Sequence, residues 1–316
     1  MERKESSMAS LTKPSLLVLG GTGFIGSHII NKSVKRGWKV TCASLSLPKK
    51  NKRNRKVKYY KVDLKSYFSV KKKLSKSFDY VINLAGYINH SNSKKDYHRI
   101  VKEHFGAVKN LVKILPRENL KKFVQVGSSD EYGFAKAPQN EKTKLSPKTT
   151  YSLAKAQTTN YLKKIYKNEK YPFSIVRLFL TYGPNQKKDR FIPQVINGCL
   201  NNKEFPTTSG EQIRDFCYID DTVSAILLIL TNRKATGEVF NVASGIPVKI
   251  KTVIKLINKI IGKGKPEFNK LKLHKRENKI LYADIKKINK KLNWKPKINL
   301  LKGLKKTIKA FKIHDN

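Results

Sequence analysis

The stretch Gly20-Gly21-Thr22-Gly23-Phe24-Ile25-Gly26 follows directly on an apolar run at residues 16–19 and leads into an amphipathic helical pattern. It fits the GxGxxG spacing, whose glycines allow a tight turn and let backbone N–H groups approach a pyrophosphate at the start of the next helix. A second apolar run begins near residue 40, and this strand-loop-helix-strand context makes the motif specific. We therefore expect a dinucleotide to be bound by Gly20, Gly23, Phe24, Ile25 and Gly26.

Outward from this loop, short apolar runs alternate with longer helical stretches, as is typical of a parallel sheet covered by helices. Strands are predicted at residues 16–19, 40–43, 57–62, 80–84, 123–126 and 174–178. Helices are predicted at residues 26–36, 67–76, 97–115, 150–168, 251–261, 284–292 and 300–312. We predict an α/β fold: a Rossmann-type doubly wound parallel sheet at residues 14–178, then a smaller substrate-binding α/β lobe at 179–312, with some exchange of chain between the two.

The charge of the chain is its most unusual overall property. Its 316 residues include 68 Lys and Arg against 22 Asp and Glu, a formal net charge of +46. Such a charge can indicate binding to nucleic acid or anionic lipid. However, Lys far outnumbers Arg, the lysines are spread at spacings that suit solvated helix faces, and no nucleic-acid recognition motif accompanies them. We attribute the charge to a compositional bias and expect no nucleic-acid partner.

The cysteines and the hydropathy pattern exclude several other classes. Cys42, Cys199 and Cys217 are too few and too far apart for a disulfide framework or a CxxC metal or redox pair. Residues 1–13 lack the apolar core of a signal peptide, and the longest apolar run, at 225–230, is far too short to cross a bilayer. We expect a cytoplasmic protein with no membrane partner and no metal.

The second predicted strand leads to Ser44, at the place where NAD-preferring enzymes usually carry an acid that holds the ribose 2′-hydroxyl. A basic loop follows at residues 49–55. The missing carboxylate and the nearby cations favour the 2′-phosphate of NADP, although a merely solvated loop would leave the choice open. We expect NADP or NAD as cofactor, with NADP slightly favoured.

Tyr151 and Lys155 form a YxxxK pair, which a helix places on one face one turn apart. A nearby ammonium lowers the pKa of a phenol, so that the tyrosinate can take a proton from a hydroxyl while hydride leaves for a nicotinamide. The pair is therefore a candidate for catalysis in a dehydrogenase-type reaction.

Taken in order, these motifs resemble those of the NAD(P)-dependent epimerase/dehydratase family, the nucleotide-sugar-modifying branch of the extended short-chain dehydrogenases that includes enzymes of the UDP-glucose 4-epimerase type. The resemblance covers nearly the whole chain. It rests on residues 20–26, 83–86, 127–133, 151–155, Arg177, 182–184 and 214–221.

The resemblance implies roles for individual residues. Tyr151 would be the acid/base, Lys155 would hold the nicotinamide ribose, and Ser128 would hydrogen-bond the reacting sugar oxygen. Further cofactor contacts are implied for Asp63, Leu64, Leu84, Ala85 and Gly86. Substrate contacts are expected from Ser129, Arg190, Arg214 and Arg276, and guanidinium groups suit a diphosphate through bidentate bonding. Alternatively, Arg276 is only a surface cation.

One departure from the family pattern concerns the substrate. Many relatives carry an Asn in an Arg-x-Phe-Asn run, whereas this chain has Leu180 at that position. Because a leucine side chain cannot hydrogen-bond a diphosphate, the resemblance leaves the substrate or its mode of binding open.

Three functions remain open. The first is an epimerase, or a related 4-keto reductase, that acts by hydride transfer at C4 of a nucleoside-diphosphate hexose. The second is a nucleotide-sugar 4,6-dehydratase. The third, a non-enzymatic dinucleotide-binding scaffold or RNA binder, is disfavoured because Ser128, Tyr151 and Lys155 are all present. We expect an enzyme that binds a nucleoside-diphosphate sugar and forms a homodimer.

The dehydratase alternative depends on the register of two acids. A dehydratase commonly uses an adjacent Asp-Glu pair as base and acid. Counting back from Tyr132 without gaps, Ser129 takes the place of the Asp, and Asp130 takes the place of the longer Glu. We therefore expect no dehydration and retain Asp130 as a catalytic candidate. Alternatively, Asp130 and Glu131 only order the loop by accepting hydrogen bonds from backbone amides.

Overall fold

The computed structural model describes residues 13–86, 94–272 and 278–314. The strands in this part of the chain are β1 Ser15–Leu19, β2 Lys39–Ser44, β3 Val57–Lys61, β4 Tyr80–Asn83, β5 Lys122–Ser128, β6 Phe173–Leu178, β7 Leu180–Tyr182, β8 Glu204–Pro206, β9 Ile213–Tyr218, β10 Glu238–Val242, β11 Pro247–Lys249, β12 Lys265–Glu267 and β13 Ile280–Leu281. The α-helices are α1 Phe24–Lys35, α2 Tyr67–Leu74, α3 Lys94–Val101, α4 Ala107–Ile114, α5 Thr150–Glu169, α6 Phe191–Leu200, α7 Ile219–Thr231, α8 Ile250–Ile261, α9 Lys286–Leu292 and α10 Leu300–His314.

Seven parallel strands form the central sheet in the order β10-β6-β5-β4-β1-β2-β3. The chain winds from β1 outward to β3 and then returns to β4 on the other side of β1. This reversal opens a crevice at the carboxyl ends of β1 and β4, where doubly wound sheets bind their ligands. The six predicted strands and the Rossmann-type sheet are confirmed.

Helices cover both faces of the sheet because its strands are apolar on both sides. In β1, Leu16 and Val18 belong to one buried cluster, which contains α1 and α7 residues such as Ile29 and Ile226. Leu17 and Leu19 belong to the cluster on the other face, with residues of α2, α4 and α5. All four β1 leucine and valine side chains are fully buried, which is the reason for the continuous apolar run in the sequence.

Strand β10 reaches the central sheet from the second half of the chain. It pairs in parallel with β6, from Glu238 opposite Ser174 to Val242 opposite Leu178. No strand was predicted at these residues. The sheet that carries the phosphate loop is therefore completed by residues far beyond 178.

A smaller assembly lies beyond β6. Strands β11, β9 and β13 form its sheet, and β7 also pairs with β9. Helices α6, α8 and α10 pack here, and their buried residues, including Ile196, Ile257 and Leu304, belong to the same apolar cluster as Leu16 and Val18. The two parts of the molecule thus share one continuous core. None of the described helices is long and apolar enough to cross a membrane.

The helix predicted at residues 97–115 is interrupted in the structure. α3 ends at Val101, a π-helical segment covers Lys102–Gly106, and α4 begins at Ala107. The prediction of one regular helix is wrong here because a π turn inserts an extra residue and rotates the side chains that follow it.

Candidate functional site

A cavity of about 340 Å³ lies at the carboxyl edge of the central sheet. Its walls come from the loops after β1, β2, β3 and β4 and from the π-helical segment. The lining residues are Gly20, Thr22, Gly23, Ala43, Ser44, Leu45, Ser46, Val62, Asp63, Leu64, Lys65, Leu84, Ala85, Gly86 and Glu103. Eight of the predicted cofactor residues thus surround one space: Gly20, Gly23, Ser44, Asp63, Leu64, Leu84, Ala85 and Gly86.

The phosphate loop can only be built from glycine at two of its positions. Gly20 has φ +73°, and a Cβ there would meet the backbone nitrogen of Ala85 at 2.9 Å. A Cβ on Gly26 would meet the carbonyl oxygen of Gly20 at 2.6 Å. This close packing brings the start of α1 to the cavity. The N-cap residue of α1, Gly23, has no side chain that could accept a hydrogen bond from the N–H groups of the first turn. Phe24, Ile25 and Gly26 form that turn but are not among the residues that line the cavity, so a contact of their N–H groups with a pyrophosphate stays a prediction.

Ser44 ends β2 at the cavity wall, where its hydroxyl oxygen accepts a hydrogen bond from the Thr22 N–H at 3.4 Å. Of the side chains that the structure describes in the basic loop at residues 49–55, none lines the cavity. Within that loop, Arg53 donates to the Pro48 carbonyl at 2.9 Å, and its guanidinium lies over the Tyr59 ring. Among the described residues, Lys65 is the cation that lines the cavity.

Ser128 ends β5 and starts a short 3-10 helix, Ser129–Tyr132. Its hydroxyl accepts from the Asp130 N–H at 3.2 Å, while the Glu131 carboxylate accepts from the Ser128 N–H at 3.0 Å. Both side chains therefore accept hydrogen bonds from backbone N–H groups at the N-terminal end of this turn, in the manner of a capping box. Glu131 orders the loop through a backbone amide, as the second of the two sequence interpretations expected.

Glu131 is also the centre of a buried charge network. Its Oε2 accepts from Thr159 Oγ1 at 2.7 Å and from Arg177 Nε at 3.1 Å, and Arg177 Nη2 lies at 3.1 Å. Arg177 in turn donates to the Tyr132 hydroxyl at 3.1 Å, which donates to Asn241 Oδ1 at 2.7 Å. The glutamate and the arginine are 0% and 1% exposed. This network fixes the turn that carries Ser128.

Tyr151 and Lys155 lie in the first turns of α5, which is capped by the Thr149 side chain. The Tyr151 phenol is hydrogen-bonded to Ser128. The Lys155 ammonium lies 5.7 Å from the centre of the Tyr151 ring and donates to the Val126 carbonyl at 2.8 Å. The structure thus brings Ser128, Tyr151 and Lys155 together at the end of β5.

Burial sets the protonation of this pair. Burial raises the pKa of the Tyr151 phenol, and the negative charge of Asp130 raises it further, whereas the Ser128 hydrogen bond and the Arg190 charge lower it. Burial lowers the pKa of Lys155 to about 8. Burial dominates the phenol pKa in this structure, and the expectation that Lys155 lowers it stays a prediction.

The four predicted substrate residues differ in where they lie. Ser129 is buried in the turn after Ser128. Arg190 is the N-cap residue of α6 and lies near Tyr151, whose pKa its charge affects. Arg214 is buried in β9, where it donates to the Ile213 carbonyl at 2.9 Å, and its contact with substrate stays a prediction. Arg276 lies outside the described residues.

The sequence patterns missed several residues at the site. Six of them line the cavity beside predicted residues, at a predicted strand end or within three residues after it: Thr22, Ala43, Leu45, Ser46, Val62 and Lys65.

The remaining two missed residues lie on the π-helical segment. Glu103 lines the cavity. His104 is buried and packs edge-on against Tyr151, with 5.1 Å between ring centres. No local signal marks these two, because the π turn displaces them from the helical register that the sequence suggests.

Comparison with known proteins gives a consistent assignment. The model of the NAD dependent epimerase/dehydratase family matches residues 16–243. The chain is 29% identical to a UDP-glucuronate 4-epimerase of Thermodesulfobacterium geofontis over 92% of this chain and 94% of that one. It is also 29% identical to a dTDP-D-glucose 4,6-dehydratase of Dictyostelium discoideum over 77% of this chain, but that match spans only 61% of the dehydratase.

A solved structure resembles the whole fold. It is a UDP-glucose 4-epimerase of Thermotoga maritima with UDP-glucose, with a TM-score of 0.87 and 26% identity over 96% of this chain and all of that one.

Proposed function

The chain belongs to the NAD-dependent epimerase/dehydratase family and is an enzyme, and on that premise we propose that it acts by hydride transfer at C4 of a nucleoside-diphosphate hexose, as a 4-epimerase or a 4-keto reductase. The observation that carries this proposal is the hydrogen bond between Tyr151 and Ser128, with Lys155 beside the same ring. The group is linked to the cavity through His104, which packs against Tyr151 and follows the lining residue Glu103 in the chain. Similarity to 4-epimerases over nearly the whole chain supports it.

Each member of the group has a role in this proposal. A nicotinamide dinucleotide, when bound, would supply reversible hydride chemistry at C4. Tyr151 takes the proton of the C4 hydroxyl during oxidation and gives it back to the keto oxygen during reduction. Ser128 orients that oxygen by a hydrogen bond, and Lys155 holds the nicotinamide ribose. Burial and the Asp130 charge raise the pKa of the phenol and favour the protonated form that the reducing step uses. The oxidising step requires the tyrosinate, which the nearby Lys155 ammonium would favour.

The test is turnover of a panel of nucleotide sugars, with products identified by mass and NMR. Tyr151→Phe should fold, bind dinucleotide and lose about 10²- to 10⁴-fold in turnover, the usual contribution of a positioned acid/base. Tyr161→Phe, on the same helix, is the matched control and should keep full activity. Wild-type turnover in Tyr151→Phe would contradict the proposal, and dinucleotide binding without any turnover in the wild type would favour a scaffold.

Dehydration is the second candidate, because one relative is a dTDP-D-glucose 4,6-dehydratase and Asp130 lies close enough to Tyr151 to affect its pKa. The same mass measurement separates the two. A dehydratase would produce a loss of about 18 Da, one water, as elimination requires. If that loss is seen and disappears in Asp130→Asn, the C4 epimerase or reductase proposal is wrong.

For the cofactor, we propose that NADP(H) is bound at least as well as NAD(H). The support is the absence of a carboxylate at Ser44, whose hydroxyl meets only the Thr22 amide and the Cys42 thiol among the described residues. Fluorescence titration of both reduced cofactors tests this. Ser44→Asp should weaken NADPH by roughly tenfold or more relative to NADH, about 1.4 kcal/mol. An unchanged ratio would contradict the preference.

We further propose that residues 179–312 supply the substrate lobe, apart from β10, and that the enzyme is a homodimer. Sedimentation equilibrium tests the second statement, since a monomer at micromolar concentration would contradict it.

A further inference from the structure

Thr159 lies on the same face of α5 as the catalytic pair. Tyr151, Lys155 and Thr159 follow one another at intervals of four residues, so the helix places them one above the other. Thr159 is 1% exposed, and its hydroxyl donates to Glu131 Oε2 at 2.7 Å. The face that carries Tyr151 and Lys155 therefore has a third polar group, which the proposed mechanism does not use.

Two hydrogen bonds between this face and the end of β5 are made by reacting groups. The Lys155 ammonium donates to the Val126 carbonyl at 2.8 Å. The Tyr151 phenol is hydrogen-bonded to Ser128. In the proposed reaction the sugar oxygen is bound between the phenol and the Ser128 hydroxyl, so their direct hydrogen bond has to open, and the ammonium is needed at the nicotinamide ribose. Neither bond can therefore fix the distance between helix and strand during turnover.

Thr159 is linked to the same end of β5 by a bridge that contains no reacting group. Oε2 of Glu131 accepts from the Thr159 hydroxyl, while Oε1 accepts from the Ser128 N–H at 3.0 Å. Arg177 Nε and Nη2, each 3.1 Å from Oε2, hold the carboxylate in place. Glu131 and Arg177 are buried, so water does not compete for these hydrogen bonds. The bridge therefore persists when a substrate separates Tyr151 from Ser128.

We propose, on the premise of the proposed function, that Thr159 is a positioning residue, which through Glu131 holds Ser128 opposite Tyr151 while the sugar oxygen is bound between them. Proton transfer needs a short distance between donor and acceptor, and a misplacement of about 1 Å can cost about 10²-fold in rate. Thr159→Val keeps the branched shape of the side chain and removes its hydroxyl. Because Arg177 still donates to the Glu131 carboxylate in this variant, no buried charge is left without a partner, and the variant should fold.

The experiment measures kcat and KM with the nucleotide sugar that the wild type turns over. Thr159→Val should lose about 10- to 100-fold in kcat, whereas its KM and its dinucleotide Kd should stay within about twofold, because the groups that bind both ligands are unchanged. Thr159→Ser keeps the hydroxyl and should restore most of kcat. Thr158→Val is the matched control, since Thr158 is also 1% exposed but donates to the Ala154 carbonyl of its own helix at 2.8 Å. This control should keep the wild-type kcat.

The pH–rate profile separates positioning from an effect of charge. The negative charge of Glu131 raises the pKa of Tyr151 and of Lys155. Thr159→Val leaves this charge in place, so the profile should fall in height with its midpoints unchanged. In Glu131→Gln the charge is removed, both pKa values fall, and the midpoints should move to lower pH. Midpoints that move in Thr159→Val would make its effect electrostatic and overturn the proposal.

Three further results would overturn it: wild-type kcat in Thr159→Val, an equal loss in Thr158→Val, and no recovery in Thr159→Ser. Amide hydrogen exchange adds a test that needs no substrate. The Ser128 N–H should exchange faster in Thr159→Val than in the wild type and in Thr158→Val, while exchange in β1 stays the same. Equal protection of Ser128 would also overturn the proposal, because Thr159 would then not hold the turn. Failure of the proposed function would look different, since a wild type without turnover can still lose this protection on Thr159→Val.

Discussion

The substitution Glu131→Gln should destabilise the protein more than any other replacement of an acid by its amide at the site. The glutamate carboxylate accepts from Ser128 N, Thr159 Oγ1 and two nitrogens of Arg177, at distances from 2.7 to 3.1 Å. A glutamine side chain at this position would keep the shape but remove the charge, leaving the Arg177 guanidinium, 1% exposed, without its counter-ion. Breaking a buried ion pair from one side typically costs about 3–5 kcal/mol.

The measurement is urea unfolding followed by circular dichroism, with the free energy of unfolding taken by linear extrapolation. Glu211→Gln is the control, because the Glu211–Lys249 pair is similarly close at 2.6 Å but 53% and 54% exposed. We expect this control to cost far less than Glu131→Gln, since solvent screens exposed pairs.

The double variant Glu131→Leu, Arg177→Met tests whether the two charges act as a pair. Removing both charges leaves no charge buried without a counter-ion. The double variant should therefore lose clearly less unfolding free energy than the sum of the losses in Glu131→Leu alone and Arg177→Met alone. Two results would contradict a stabilising role of the network in the Ser128 turn. One is a loss of unfolding free energy in Glu131→Gln no larger than in Glu211→Gln, and the other is a double variant whose loss equals the sum of its two single variants.

Four other changes have specific expected outcomes. Lys122 is 2% exposed, and burial lowers the pKa of its ammonium from 10.5 to about 8. The cost of burying the charged ammonium is fully present below pH 8 and disappears as the pH rises to 10.5. The unfolding free energy of the wild type relative to Lys122→Met should therefore rise by up to about 3 kcal/mol across that window. Asp130→Asn should shift the alkaline limb of the pH–rate profile to lower pH, because the removed charge raises the Tyr151 pKa. Gly26→Ala should abolish dinucleotide binding in calorimetry, because its Cβ would meet the Gly20 oxygen at 2.6 Å. Leu180→Asn, on a side chain 39% exposed, should lower KM for the nucleotide sugar without changing cofactor affinity if that side chain contacts substrate; unchanged KM would exclude the contact.

The central sheet could be predicted because the features that indicate it lie close together in the sequence. Strands such as β1 are buried on both faces and therefore read as continuous apolar runs, and the phosphate loop needs glycine at Gly20 and Gly26 for steric reasons. Tyr151 and Lys155 are one turn apart on any helix, so their pairing could be predicted before the fold was known.

The features that were not predicted depend on contacts between distant parts of the chain. The hydrogen bond that Arg177 donates to Glu131 joins residues 46 positions apart, and the sequence around each residue does not indicate that it is buried. The π turn that brings Glu103 and His104 to the site has no marker in the helical pattern. Lys122 appears in the sequence as one more surface lysine, although it is buried and donates to the Asn232 carbonyl at 3.2 Å.

The place of β10 at the edge of the central sheet affects the order in which the chain can fold during synthesis. The ribosome releases β6 about 60 residues before its neighbour β10 exists, counting from Leu178 to Glu238. Throughout that interval β6 is an open edge with apolar side chains on both faces, the kind of strand that recruits other chains. The nascent protein should therefore depend on chaperone protection until the second half has emerged, even though its nucleotide-binding motifs are all complete by then.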